Sequence, residues 1–424
     1  MKKYGFIAVF AAFAVVSCSQ KAAPLGLKDV LGDKFLVGTA LNEAQILHMD
    51  AKADSLVALH FNAIVPENCM KHENLHPAEN EFDFELSDKF VEYGEAAGLT
   101  MTGHCLIWHS QTADWMFKDE KGGLVSPEVL KQRMKDHIYA VAGRYKGKLK
   151  GWDVVNEAII EDGSYRNSYY YQILGEEFIP WAFQCAHEAD PDAELYYNDY
   201  GMHEPGRRDG VVRLIRQLKE RGLRIDAIGM QGHMGMDYPT IEDFRTSMEA
   251  FIAEGVNVMI TEWDMSVNPT KTQSADIAES QKIRTDFWNV PEEEREELYN
   301  NFLAIACPYA KTGVPEDVMA AWSARMREFM DLFIEHADKL TRVTVWGVTD
   351  ETSWKNNFPI PGGTDFALPF DREYNAKPFV NKLIEDYLRV YFYVSSTANR
   401  EVTFMRARSR AAEGLWRRKI FSEN

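Results

Sequence analysis

Eight short apolar, β-rich runs recur between residues 28 and 390, and helical stretches lie between them. They are Phe35–Leu41, Phe61–Glu67, Thr100–Trp108, Gly151–Glu157, Glu194–Asp199, Ala227–His233, Val258–Asp264 and Val343–Asp350. Most are continuously apolar rather than alternating, the pattern of strands covered on both faces. The intervening segments carry helical periodicity. In Leu86–Ala97 the apolar residues Leu86, Phe90, Val91, Tyr93 and Ala97 lie among acids, and Gly98 ends the run. Pro127–Tyr145, Phe178–Ala189, Gly210–Arg221, Thr240–Glu254 and Val318–Lys339 read the same way. Eight such units without a linker predict an α/β fold, a single-domain (β/α)8 TIM barrel. A doubly wound open sheet is the alternative, but no Gly-rich phosphate loop supports it.

Polar residues gather where these runs end. Asn156 and Glu157 close the fourth, Asn198 and Asp199 the fifth, Gln231 and His233 the sixth, Glu262 and Asp264 the seventh, and Asp350 the eighth. In a barrel these positions converge on the face where active sites of this fold lie. A carboxylate there is costly to desolvate without a role or a partner. Two Glu residues on opposite strand ends can flank a glycosidic bond, one giving a proton to the leaving oxygen and the other attacking the anomeric carbon. The acid must hold its proton and the nucleophile must be ionised. We assign Glu157 as acid/base and Glu262 as nucleophile; salt-bridged surface glutamates are the bland alternative.

Composition narrows the function. Lys plus Arg number 47 against 65 Asp plus Glu, a net charge of −18, which argues against a nucleic-acid partner. Trp, Tyr and Phe make up 12% of the chain, enough to supply flat faces for sugar rings as well as a core.

The order of several motifs carries a resemblance. They are Gly38-Thr39-Ala40, Pro66-Glu67-Asn68-Cys69-Met70-Lys71, and Gly103-His104-Cys105-Leu106-Ile107-Trp108-His109-Ser110-Gln111. Trp152-Asp153-Val154-Val155-Asn156-Glu157, Tyr197-Asn198-Asp199-Tyr200, Gln231-Gly232-His233 and Ile260-Thr261-Glu262-Trp263-Asp264 follow. Trp346-Gly347-Val348-Thr349-Asp350, with Ser353-Trp354, completes the set. Over about residues 28–388 the chain resembles the glycoside hydrolase family 10 endo-β-1,4-xylanases.

The resemblance implies retaining endo-hydrolysis of xylan through a covalent glycosyl-enzyme, with Glu157 and Glu262 in the roles given above. It implies that His233 holds the nucleophile and that Asn156 binds the 2-hydroxyl of the sugar being cleaved. Gln231 is expected either to support the nucleophile region or simply to pack. His104 and Lys71 also face that sugar. Glu67, Asn68 and Gln111 bind the next sugar on the non-reducing side. Trp108, Trp346 and Trp354 form aromatic walls, whose apolar faces suit the C–H face of a pyranose. Substrate is expected to be xylan and xylo-oligosaccharides; no cofactor or metal is implied. A β-1,4-glucanase of the same family and a non-catalytic glycan-binding lipoprotein are the alternatives.

Other segments stand apart from the barrel. Residues 1–17 read as a signal peptide: Lys2 and Lys3 precede an apolar stretch too short to span a bilayer as a mature helix. Val15-Val16-Ser17-Cys18 resembles a bacterial lipobox, so Cys18 is expected to carry a lipid anchor and residues 18–27 to tether the domain 28–390. The expected product is a monomeric bacterial lipoprotein, membrane-anchored, periplasmic or on the cell surface; an ordinary signal peptide with an incidental cysteine is the alternative. Residues 391–424 form a basic extension with no assigned chemistry. The 78 residues from Met265 to Arg342 exceed an ordinary connection and predict a helical excursion, either beside the leaving-group side of the cleft or away from substrate.

Cys69, Cys105, Cys185 and Cys307 match no zinc or redox spacing and read as buried thiols, with a Cys69–Cys105 bridge left open. His72-Glu73-Asn74-Leu75-His76 fits the zinc-protease motif H-E-x-x-H, but Pro77 and missing apolar periodicity oppose a motif helix. No convincing third ligand follows, and a solvated loop at the cleft entrance is expected.

Overall fold

In the computed structural model, residues 24–268, 289, 291–358 and 362–389 are described. The leader, Cys18, Trp288 and the basic extension lie outside them. Among the described residues no helix is long and apolar enough to cross a membrane.

The strands are β1 (Leu36–Leu41), β2 (Ala63–Pro66), β3 (Thr100–Trp108), β4 (Gly151–Asn156), β5 (Glu194–Asp199), β6 (Ala227–Met230), β7 (His233–Gly235), β8 (Asn257–Ser266) and β9 (Leu340–Val345). All pair in parallel. β1 to β6 follow one another, β9 joins β1 to β8, and β8 closes the ring on β6. The result is a closed eight-stranded (β/α)8 barrel with β7 as a short ribbon on the end of β8. The eight expected runs are the eight barrel strands. The sixth was expected to continue to His233; it breaks after Met230 because Gly232 takes a left-handed backbone, φ 81°, and starts the separate ribbon.

The helices form where apolar periodicity and caps agree. Ser126 caps Pro127–Arg144 by accepting from Val129 N, with Pro127 at the first helical position. Glu85–Ala97 stops at Gly98, whose φ of 64° suits glycine. Pro205–Glu220 starts five residues earlier than its apolar pattern suggested, because Pro205 is again a favoured first residue. In the long connection after β8, the acidic run opens a helix, Glu292–Ala306. A second helix, Glu316–Glu335, buries Trp322, Met326, Phe329 and Phe333. Residues 269–288 of the expected excursion lie outside the described residues.

One expectation fails. Residues 72–76 do not form a solvated loop: His72–Leu75 is a short helix, and His72 and His76 are each 3% exposed. Their rings are covered by Trp115, at 5.4 and 4.4 Å between centroids, and by His137 from Pro127–Arg144. His76 leaves the helix with φ −138°, as a residue before proline should.

Trp152 and Trp263 are core residues, each 1% exposed. A side chain at Gly103 would place its Cβ 2.2 Å from the Trp152 ring, so that ring needs glycine on the adjacent strand. Register shifts between His104 and Ile107 on β3, Asp153 and Val155 on β4, and Ile260 and Trp263 on β8 interrupt the strands that carry Trp108, Asn156 and Glu262. Such irregularities re-aim side chains next to active sites.

Candidate active site

Glu157 follows β4 directly and takes a left-handed backbone, φ 58°, which turns it out of the strand. A non-glycine residue held there is strained by about 1–3 kcal/mol and persists where its surroundings impose it. Here they do. Gln231 Nε2 donates to Glu157 Oε1 at 3.0 Å, Asn156 Nδ2 donates to the same oxygen at 3.3 Å, and Trp108 Nε1 donates to Oε2 at 2.9 Å. The backbone N–H of Glu157 donates to Asn198 O, and Arg166 Nε donates to the Glu157 carbonyl.

Glu262 lies on β8, 5% exposed. Asn198 Nδ2 donates to its Oε1 at 2.8 Å, and His233 Nε2 lies 3.2 Å from its Oε2. The other ring nitrogen of His233 is 2.9 Å from Asp264 Oδ2. Burial alone would depress the His233 pKa; the charge and hydrogen bond of Asp264, then those of Glu262, outweigh it and hold it at about 9. His233 is therefore an imidazolium at neutral pH, clamped between two carboxylates. Burial would raise Asp264, but the charges of His233 and Lys355, with hydrogen bonds from His233 and Trp354, keep it below the usual range. Trp354 Nε1 donates to Asp264 at 2.7 Å, which fixes that indole against the His233 ring.

Amide side chains connect the two carboxylates. Asn198 Nδ2 also donates to Asn156 Oδ1 at 3.0 Å, and Gln231 Nε2 reaches that oxygen at 3.3 Å. Glu157, Asn156, Asn198 and Glu262 thus form one hydrogen-bonded chain across the end of the barrel. Gln231 serves both carboxylates: its carbonyl accepts Glu262 N at 2.8 Å, and its side chain turns to the acid/base. Its place after β6 puts its amide nitrogen against Glu157.

A second cluster borders the first. Lys71 Nζ donates to Asn68 Oδ1 at 2.9 Å and Gln111 Oε1 at 3.0 Å, and it sits 4.9 Å over the Trp108 ring. Burial raises the Glu67 pKa, with Lys71 and a hydrogen bond to Asn68 opposing. Gln111, like Glu157, is held at positive φ, 48°. His104 lies 2.9 Å from Asp153 Oδ2, and its ring meets Trp346 edge-on at 5.3 Å. Trp346 packs with Ala40, Val65 and Trp354. The two glutamates and the residues expected to bind substrate are therefore tied into these clusters or their walls.

Several residues named in the sequence motifs had no partner assigned to them. Asn198 touches Glu262 directly. Thr261 Oγ1 donates to Asn198 Oδ1 at 2.6 Å. Tyr197 Oη holds the N–H groups of Ala158 and Ile159 at 2.9 Å and donates to Asp199 Oδ2 at 2.6 Å. Asp199 is fully buried, which raises its pKa to about 7, with Arg207 opposing and Glu157 adding to the rise. Asp350, a strand-end candidate, does not face the cleft. It pairs with Lys377 Nζ at 2.8 Å and accepts Leu368 N, so it anchors a loop. The four described cysteines are free and buried.

The sequence profile of Glycosyl hydrolase family 10 matches residues 26–386. This chain belongs to glycosyl hydrolase family 10. Its family relatives include endo-1,4-beta-xylanase A of Xylanibacter ruminicola, 46% identical over 363 residues, 85% of this chain and 93% of that protein. Endo-1,4-beta-xylanase B of Paenibacillus barcinonensis is 35% identical over 81% of this chain and 93% of its own. Among solved structures, a GH10 endoxylanase retrieved from sugarcane soil metagenome superposes with a TM-score of 0.76 at 38% identity, covering 86% of this chain and all of that one. Xylanase XynB from Paenibacillus barcinonensis, complexed with a conduramine derivative, gives 0.73 at 32% identity, covering 86% and 99%.

Proposed function

We propose that the protein is a retaining endo-β-1,4-xylanase, with Glu157 as acid/base and Glu262 as nucleophile. The observation that carries the assignment is the asymmetry of the two carboxylates: Glu262 is held against the His233 imidazolium, Glu157 by neutral donors only. The imidazolium of His233 fixes the position of the Glu262 carboxylate that attacks. The Glu262 carboxylate bonds to the anomeric carbon while Glu157 passes its proton to the departing oxygen, and the first sugar chain leaves. Donors on both oxygens of Glu157 steady the carboxylate this creates. Glu157 then takes a proton from water as the water attacks the anomeric carbon, and Glu262 departs as a carboxylate. His233 keeps its Asp264 partner throughout, so its charge stays in place while that of Glu262 is consumed and restored.

Xylan as substrate is supported by the relatives and by the site's second cluster. Lys71, Asn68 and Gln111 are locked to one another, leaving a rigid polar wall for the neighbouring sugar. Such a wall disfavours the hydroxymethyl group of a glucan.

The test is product analysis on glucuronoxylan and carboxymethyl cellulose, with Glu262→Gln as control and NMR of the first-formed anomer. Short β-configured xylo-oligosaccharides from wild type alone support the reading. The α-anomer would overturn retention, glucan cleavage would favour a glucanase, and binding without release would favour a capture protein.

We also propose that the mature protein is a monomer tethered to a bacterial membrane through lipidated Cys18. The apolar leader ending in Val15-Val16-Ser17-Cys18 supports this. Cys18→Ser should release the protein into the soluble fraction; unchanged partitioning would overturn it.

A further inference from the structure

The H-E-x-x-H segment is not spent by the glycosidase site. His72 and His76 face His137 of Pro127–Arg144, which is fully buried, and one ring nitrogen from each of the three can be chosen within 4.8 Å of the others. His76 Nδ1 lies 3.2 Å from His137 Nδ1. Two nitrogens bound to one tetrahedral zinc at about 2.05 Å sit roughly 3.3 Å apart, so this pair already has the span of a coordination edge. The Nε2 atoms of all three rings are buried without a partner. We propose that His72, His76 and His137 form a buried structural site for a divalent ion that favours imidazole, of the Zn²⁺, Co²⁺ or Ni²⁺ kind.

The chemistry of the cluster fits. All three rings are buried and each offers one ring nitrogen to a common centre, the donor set that an imidazole-preferring ion takes. Asp136 puts negative charge on the His76 side, while Glu79 there is paired with Arg133. Without an ion, His76 and His137 share one hydrogen between their Nδ1 atoms. On binding, both Nδ1 lone pairs turn to the ion, and that hydrogen moves to Nε2 of its own ring, with no net proton release. His72 Nδ1 accepts Ala113 N at a long 3.3 Å; entry of its Nε2 gives up that bond, with the ring hydrogen passing to Nδ1.

Protease chemistry does not follow. Glu73 is exposed and accepts Gln111 Nε2 at 3.1 Å instead of facing the three rings. The site is a staple. His72 adjoins Lys71, Ala113 stands two residues past Gln111, and His137 belongs to a barrel helix. An ion there fastens the polar wall of the cleft to the scaffold.

The test uses the untagged full-length chain, stripped with EDTA and titrated with Co²⁺ and then Zn²⁺, beside His137→Gln and an exposed control, His187→Gln. We expect one Co²⁺ per chain with the intense visible absorption of a tetrahedral nitrogen-rich site. Zn²⁺ should displace it and raise Tm. Affinity should fall at least about 100-fold in His137→Gln and stay unchanged in the control. Equal binding in wild type and His137→Gln, a weak octahedral spectrum, or no retained metal would overturn the proposal. The wild-type spectrum decides even if His137→Gln does not fold, and none of these readouts depends on glycosidase activity.

Discussion

Asn198 holds Glu262: its amide nitrogen donates to Oε1 at 2.8 Å, while Thr261 Oγ1 donates to its carbonyl oxygen and fixes the amide's orientation. Because the same nitrogen touches Asn156, the nucleophile is aligned with the residue expected at the sugar's 2-hydroxyl. Asn198→Leu should lower kcat by about 10²-fold with KM little changed, since losing one preorganised donor costs roughly 2.7–4 kcal/mol of transition-state stabilisation. Gly229→Ala should act in the same direction, because its Cβ would lie 2.4 Å from Asn198 Oδ1. Steady-state kinetics on xylohexaose checks both; a change in KM alone would refute the alignment.

The two glutamates should fail differently. Glu262→Gln should lower kcat by on the order of 10⁴-fold or more on every substrate. Glu157→Gln should be as severe on xylan but mild for the first step on an aryl xylobioside, whose leaving group needs no proton. A pre-steady-state burst of phenolate from that variant, followed by slow turnover, is the expected trace. Equal loss on both substrates would reverse or void the assignment.

His233 sets an alkaline limit. Its folded pKa of about 9 exceeds the unfolded value of 6.5. Its contribution to stability is fully present below pH 6.5 and is lost as pH rises through 9. Activity should fall over the same alkaline range, because the cation beside Glu262 disappears. His233→Gln should remove that limb from the pH profile of kcat while lowering kcat by about 10²-fold or more. Persistence of the limb in the variant would assign it elsewhere.

Lys71 should show its effect in binding. It is buried and holds Asn68 and Gln111. Lys71→Met keeps the stem and removes both charged hydrogen bonds, each worth about 1.5–3 kcal/mol. We expect kcat/KM on xylan to drop tenfold to several hundredfold. Calorimetric titration of xylotriose into the Glu262→Gln background isolates the binding share, and unchanged affinity there would dismiss the wall.

The Asp350–Lys377 pair is a stability element. Both side chains are buried, and Lys377 Nζ also donates to the Phe366 carbonyl at 2.6 Å. Asp350→Ala leaves the cation without its charge partner and should cost about 3–5 kcal/mol. The double variant Asp350→Leu/Lys377→Met should recover much of the loss in urea unfolding. An equal or larger loss in the double variant would contradict a cost set by the unpaired charge.

The barrel was legible because its strands are buried on both faces and read as unbroken apolar runs. Thr100–Trp108 and Glu194–Asp199 match their observed bounds. The carboxylate pair was legible because ionisable residues at apolar strand ends stand out. Partner choice was not: nothing in the residue order says that Gln231 faces Glu157 or that Asp350 turns to Lys377, since both depend on where loops pack. His137 sits in an ordinary amphipathic helix 61 residues from His76, and only folding brings their rings together.

The left-handed backbone at Glu157 bears on any attempt to move this chemistry elsewhere. Copying the glutamates, Asn156 and Gln231 onto another barrel would reproduce the inventory but not the angle at which Glu157 leaves its strand. That angle is upheld by Tyr197 beneath the two following amides and by Arg166 on the Glu157 carbonyl. The smallest transplantable unit is therefore the strand end together with the tyrosine and arginine that brace it.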